Sequence, residues 1–188
     1  LLLGLPALAA ITVSVGERQT IPAGSISEPV GFEVVDDLGN PSEGVTVNFS
    51  LSDSKGDPVA EGLLESTADT DSTGQVVTQV EALEVADTYT LTATLATDET
   101  EFASAFVRIV AGPPTTLTVT GGANQVIPVG QDSESIQFQL TDVFSNPVID
   151  SAVFLTLVPQ SGRTGNLTPG GGGTMTDDQG EVSTRLQA

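Results

Sequence analysis

Apolar and polar residues alternate in short runs through most of the chain. VGFEVVD (30–36) and GVTVNFSL (44–51) carry an apolar residue at every second position, as strands with one face on a core do. GQVVTQVEA (74–82), DTYTLTATLA (87–96) and EFASAFVRIV (101–110) repeat the pattern, and ITVSVGERQTIPAG (11–24) alternates like a strand at the start. Between the runs lie DLGNPSE (37–43) and DTDST (69–73), rich in the residues that turns require. Asn tolerates unusual backbone angles there, and Pro fixes φ and cannot donate to a ladder. No window has the 3.6-residue period of an amphipathic helix, and no apolar run reaches the roughly 18–20 residues of a bilayer span.

The same pattern then returns. ITVSVGERQTIPAG (11–24) lies over LTVTGGANQVIPVG (117–130) at an offset of 106 residues, pairing Gly16 with Gly122, Gln19 with Gln125 and Ile21-Pro22 with Ile127-Pro128. The register persists through Phe32 and Phe138, Asp36 and Asp142, Asn40-Pro41 and Asn146-Pro147, Val47 and Val153, Thr70-Asp71 and Thr176-Asp177, and Gly74 and Gly180. SIQFQLTD (135–142) and SAVFLTLV (151–158) are the second copies of the first two alternating strands, with VFSNPVI (143–149) between them. A tandem repeat of this length, with about seven strands in the first copy, predicts an all-β chain of tandem immunoglobulin-like β-sandwiches. The expected domains are 10–111 and 112–188, joined at Gly112-Pro113-Pro114, with residues 1–9 outside both.

The run VVDDLGNPSEGVTVNFSL, followed by TDSTGQVVTQV and DTYTLTATL, resembles the bacterial immunoglobulin-like domains that occur in tandem in adhesins of the invasin and intimin type. The first copy matches across a whole unit. The second departs from it: Ser145 stands where the first has Gly39, Asp150 stands where it has Gly44, and PQSGRTGNLTPGGGG (159–173) is its own. The resemblance implies a non-catalytic structural or adhesive module, a stalk that projects a binding tip from a bacterial cell surface. The implied partners are neighbouring immunoglobulin-like domains of the same chain, other copies of the chain, or a receptor on a host or other cell. The implied location is extracellular, on the bacterial outer surface. A self-assembling fibre subunit completed by strand donation, and a spacer in a secreted enzyme, are the alternatives.

The offset also bears on both ends. It lays Leu1–Leu3 over Val107–Ile109, so residues 1–9 are expected to be the end of a preceding domain or a linker. Ala7-Leu8-Ala9 also fits a signal-cleavage pattern, which makes a signal remnant a second reading, and an apolar donor strand is a third. The second sandwich is expected to lack its last strands, the equivalents of 83–110, which would leave core and an unpaired edge exposed. Membership of a longer array, or a strand from another subunit, would cover them.

Charge and candidate chemistry narrow the function further. Five Lys and Arg against 25 Asp and Glu give a net charge of −20, with Lys55 the only lysine. Nucleic acid and anionic membranes reward neutralisation by cations, so neither is an expected partner and no membrane insertion by this segment is expected. A surface this acidic suits a salty or calcium-containing medium, where counterions screen self-repulsion. The absence of Cys and His removes disulfides, thiolate chemistry, imidazole bases and His-ligated zinc together. GGGG (170–173) has no following Lys-Ser/Thr and is not a phosphate loop. Calcium is the one ligand with candidate residues: Asp69 and Asp71 before Gly74, and Asp177 and Asp178 before Gly180, the oxygen donors that hard cations prefer. The same Asp-to-Gly spacing is what a tight hairpin needs, and turn formation is the default reading.

Overall fold

The computed structural model describes residues 10–81, 83–158, 165–169 and 173–187. Residues 1–9, on which the preceding-domain, signal and donor-strand readings fall, lie outside the described residues, as do 170–172 of the glycine run. Every described element is a strand. Among the described residues no helix is long and apolar enough to cross a membrane. The chain forms two compact units that divide between Val110 and Ala111.

Unit 1 holds β1 (Ala10–Val15), β2 (Arg18–Pro22), β3 (Val30–Val35), β4 (Thr46–Ser52), β5 (Pro58–Val59), β6 (Thr67–Asp69), β7 (Gln75–Thr78), β8 (Thr88–Leu95) and β9 (Asp98–Val110). One sheet has the order β1-β3-β7 and the other β2-β9-β8-β4-β5, with β6 also on β4. Period-2 alternation puts Val30, Phe32 and Val34 of the first sheet opposite Val47, Phe49 and Leu51, Leu91 and Leu95, and Val107 and Ile109 of the second, all buried. The Phe32 and Phe49 rings meet at 5.9 Å between centroids in a tilted arrangement.

The continuous strand expected over 11–24 is two strands in different sheets. β1 pairs antiparallel with β3, whereas β2 runs parallel to β9, Ile21 opposite Ile109. The switch occurs at Gly16, whose φ is +74°; a Cβ there would stand 2.6 Å from the Pro29 carbonyl oxygen. Alternation continues on both sides of the corner, so the pattern alone does not mark it. The short strands β5 and β6 also escape a pattern-based reading, because two or three residues carry too little periodicity.

Unit 2 repeats the first sheet. It contains β10 (Thr116–Gly121), β11 (Ile136–Thr141), β12 (Ala152–Val153), β13 (Asn166–Thr168), β14 (Thr174–Met175) and β15 (Glu181–Gln187). The orders are β10-β11-β15-β13 and β12-β14. Val119 faces Phe138 as Val13 faces Phe32, and Phe138 faces Val182 as Phe32 faces Val76. Both copies have a register shift at the same place, Val13/Val15 and Val119/Gly121. Ser145 and Asp150 keep the left-handed backbone of the glycines they replace, at φ 70° and 51°. Side chains at such angles cost about 1–2 kcal/mol, less for Asp, so unit 2 holds its turns at a local expense.

Gly74 and Gly180 follow the second turn of each copy with φ of +72° and +70°. A Cβ on Gly74 would lie 2.6 Å from the Val34 carbonyl oxygen, and one on Gly180 would lie 2.7 Å from that of Leu140. Gly74→Ala is therefore expected to destabilise unit 1 by at least about 1–2 kcal/mol, from the left-handed backbone before any clash is counted. A urea titration followed through Tyr89, the single tyrosine of the chain, checks this.

Candidate functional site

Carboxylates close the turns of this fold. Asp36 Oδ1 accepts the backbone N–H groups of Leu38 (2.9 Å) and Asn40 (2.8 Å), and the Asn40 side-chain amide donates back to Asp36 Oδ2 (3.1 Å). The Asn of each Asn-Pro turn is thus tied to the Asp four residues before it. Asp142 does the same in unit 2, where Oδ1 accepts from Phe144 N (2.9 Å) and Asn146 N (2.8 Å). Its other oxygen accepts from Asn146 Nδ2 (2.9 Å) and from the backbone N–H of Gly112 (2.8 Å). Asp142 is buried whereas Asp36 is half-buried.

The calcium candidates have the same occupation. Asp71 Oδ1 accepts from Thr73 N (2.8 Å), Thr73 Oγ1 (2.7 Å) and Gln75 N (3.0 Å). Asp177 Oδ1 accepts from Gln179 N (2.9 Å) and Glu181 N (2.8 Å). Asp69 accepts the Thr46 hydroxyl (2.7 Å) on the neighbouring strand, and Asp178 is an exposed residue of the turn itself. Among the described residues no three Asp, Glu, His or Cys side chains converge as a cation cage would require. Asp98 and Asp53, not singled out by sequence, close turns in the same way, Asp98 accepting Thr100 N and Oγ1 and Asp53 accepting Lys55 N and Asp57 N. The signal of Asp98 was present: an Asp two residues before a Thr, as at Asp71-Ser72-Thr73.

Hydrogen bonding sets the acidity of these groups. The Thr73 hydroxyl, and the Gln75 and Thr73 N–H groups, hold Asp71 below the usual carboxylate range. Asn40 does so for Asp36, and the Thr100 hydroxyl for Asp98. Burial pushes Asp142 upward, but the bonds from Asn146, Gly112 and Phe144 outweigh it and its pKa is also lowered. A carboxylate with a lowered folded-state pKa contributes stability above its unfolded value and loses it as pH falls through the lower, folded one. Unit 1 is thus expected to keep a flat urea midpoint down to the ordinary carboxylate range and to weaken below it. Replacing Asp36, Asp71 and Asp98 together by Asn should flatten that acid limb, as titrations in urea at successive pH values would show.

An open groove of about 780 Å³ at one end of unit 1 is lined by Asp53, Lys55, Glu61, Glu81, Leu83 and Tyr89, among others. The Tyr89 hydroxyl donates to the Val85 carbonyl (3.1 Å), and its pKa is raised by burial and by the charges of Asp87 and Asp53. Asp87, beside it, moves down: burial raises it, but the Ser54 hydroxyl, the N–H groups of Thr88 and Ser54, and the Lys55 charge outweigh that. General acid catalysis needs a carboxyl held neutral, and each carboxyl displaced from its ordinary range among the described residues is displaced the other way.

The other feature is apolar and lies in unit 2. Leu117, Val119, Val129 and Leu157 are exposed, though their counterparts Ile11, Val13, Ala23 and Leu51 face the core of unit 1. The sequence marks these residues as core, and here the core face is open.

No family model matches the chain, and no curated protein matches it. Solved structures do. FdeC, described as an Escherichia coli adhesin, aligns over 95% of this chain and 55% of its own length at 19% identity, with a TM-score of 0.50. InvD of Yersinia pseudotuberculosis aligns over 96% of this chain and 49% of its own at 16% identity, with a TM-score of 0.51. The D0-D1 domain of intimin aligns over 96% of this chain and 86% of its own at 17% identity, with a TM-score of 0.42. The chain spans about half the length of the FdeC and InvD structures. At these identities the likeness is one of fold: the chain is an all-β protein of immunoglobulin-like sandwich architecture, the architecture of the adhesin domains it resembles in sequence.

Proposed function

We propose that the chain is a non-catalytic structural module of a bacterial cell-surface adhesin, a stalk segment that carries a binding tip away from the cell. The observation that supports this most is the repeat itself. Two copies of one sandwich frame, with the same register shift and the same Asp-closed turn, serve extension better than catalysis. Pro113 and Pro114 restrict the backbone between the copies, as a spacer needs. Turn closure is the role we assign to Asp71 and Asp177, since Oδ1 of Asp71 accepts three donors of its own turn and Oδ1 of Asp177 accepts two. A host or cell-surface receptor, met through the tip, is the proposed partner, and the bacterial outer surface the proposed location.

Immunolabelling of intact cells with an antibody raised against residues 10–110, paired with an adhesion assay on cells from which residues 10–188 have been deleted, tests the reading. Surface labelling with weakened adhesion supports it. Labelling only after lysis, or undiminished adhesion, overturns it.

A further inference from the structure

The second sheet of unit 1 has an outer face that the core does not use. Alternation buries Leu91, Ala93 and Leu95 of β8 and Ala105, Val107 and Ile109 of β9, so the residues between them point outward. Register brings those outward residues together. Arg18 of β2 stands opposite Phe106, Phe106 opposite Thr90, and Phe102 opposite Thr94. Phe102 is 60% exposed and Phe106 36%, two rings on the outside of a sheet whose inside is already filled.

Charge reverses on the same face. β2, β4, β8 and residues 102–108 contain no Asp or Glu although the chain has 25, and they carry Arg18 and Arg108, two of its five cationic residues. Arg18 lies over the Phe106 ring at 5.3 Å from the centroid, a stacking that orients its guanidinium. Because Arg108 stands opposite Thr20, the two Arg are diagonal neighbours across β2 and β9. Phe102 lies four residues back along β9, about 13 Å from Phe106 at the rise of a strand. Hydroxyls fill the interval, Thr92 and Ser104 bonded to each other at 3.1 Å. The face therefore has an open ring at one end, a pair of cations at the other, and hydroxyls between.

We propose that this face binds an acidic polysaccharide in which uronate sugars alternate with neutral ones, a pyranose ring stacked on Phe102 and a carboxylate seated between Arg18 and Arg108. A sugar ring has an apolar C–H face and a rim of hydroxyls, which Phe102 and the Thr and Ser side chains match, and the guanidinium fork matches a carboxylate. A folded protein, a further domain of this chain included, needs a continuous apolar centre, and here hydroxyls separate the two rings. An extended peptide docks by strand pairing, and β8 and β9 are inner strands with both edges already paired. Two cations suit a sparse line of carboxylates; a densely sulfated chain would meet the net charge of −20 with too little to offset it. Binding by the purified chain does not depend on where the chain resides, so this inference and the surface role proposed above fail separately.

Titration of the 188-residue chain with an octasaccharide of alternating glucuronate and N-acetylglucosamine, followed through backbone amide resonances, tests it. The amides of Thr92, Thr94 and residues 102–108 are expected to shift. Phe102→Ala should weaken binding by about tenfold or more, and Phe102→Tyr, which keeps the ring, should restore it. Arg18→Gln combined with Arg108→Gln should abolish the preference over a neutral oligomer of N-acetylglucosamine. All three positions are exposed, and unchanged resonances of Val34 and Leu91 in the core verify that each variant is folded. Absence of shifts at saturating octasaccharide, or shifts centred on the groove around Tyr89, overturns the proposal. Equal binding of the neutral oligomer overturns it too, as does equal binding of poly-glutamate, which would mean that any polyanion suffices. A dimer by light scattering whose dissociation moves the same amides also rejects it, since a second copy then occupies the face.

Discussion

Phe32→Ala is expected to lower the stability of unit 1 by about 3–5 kcal/mol, the range for emptying a fully enclosed aromatic site. Phe32 is fully buried, sits on the middle strand of the three-stranded sheet, and meets the Phe49 ring across the sandwich. Its neighbours Val30, Val34 and Leu91 are held by ladders on both sheets and have little room to collapse into the space. Tyr89 is the only tyrosine and the chain has no tryptophan, so a fluorescence-monitored urea titration reports unit 1 alone. Phe138→Ala, at the equivalent place in unit 2, is expected to lose only about 1–2 kcal/mol, because a half-buried ring forfeits less transfer energy and leaves no closed cavity. Far-UV circular dichroism of the two variants gives the comparison. Equal losses would mean that the face of unit 2 is covered in solution.

Asp142→Asn is the second large effect, about 2–3 kcal/mol from unit 2. Each Asp142 oxygen accepts two donors, and an Asn offers one oxygen in place of two. The amide would set its own N–H groups against either Gly112 N and Asn146 Nδ2, or Phe144 N and Asn146 N. Donors facing donors inside a buried site lose their bonds without water to replace them. Asp36→Asn in unit 1 should cost well under half as much, since the Asp36 turn is open to solvent and its donors can turn to water. Hydrogen exchange of the β3 and β11 amides reads the two losses separately.

The alternating runs at 30–36, 44–51, 87–96 and 101–110 are strands in the structure, because side-chain direction in a strand depends only on parity and parity is written in the sequence. The repeat is legible for a related reason: Gly74 and Gly180, or Asp36 and Asp142, recur because the same backbone angles and the same unsatisfied N–H groups recur. The Asp-to-Gly spacing was visible as well, but whether its oxygens meet backbone donors or a cation depends on distances that spacing does not contain. Parity could not separate β1 from β2, since the corner at Gly16 changes the sheet without changing the alternation. Nor could it show that Leu117, Val119 and Leu157 stand exposed: a residue's face is a local property of its own strand, whereas its burial depends on what another strand places over it.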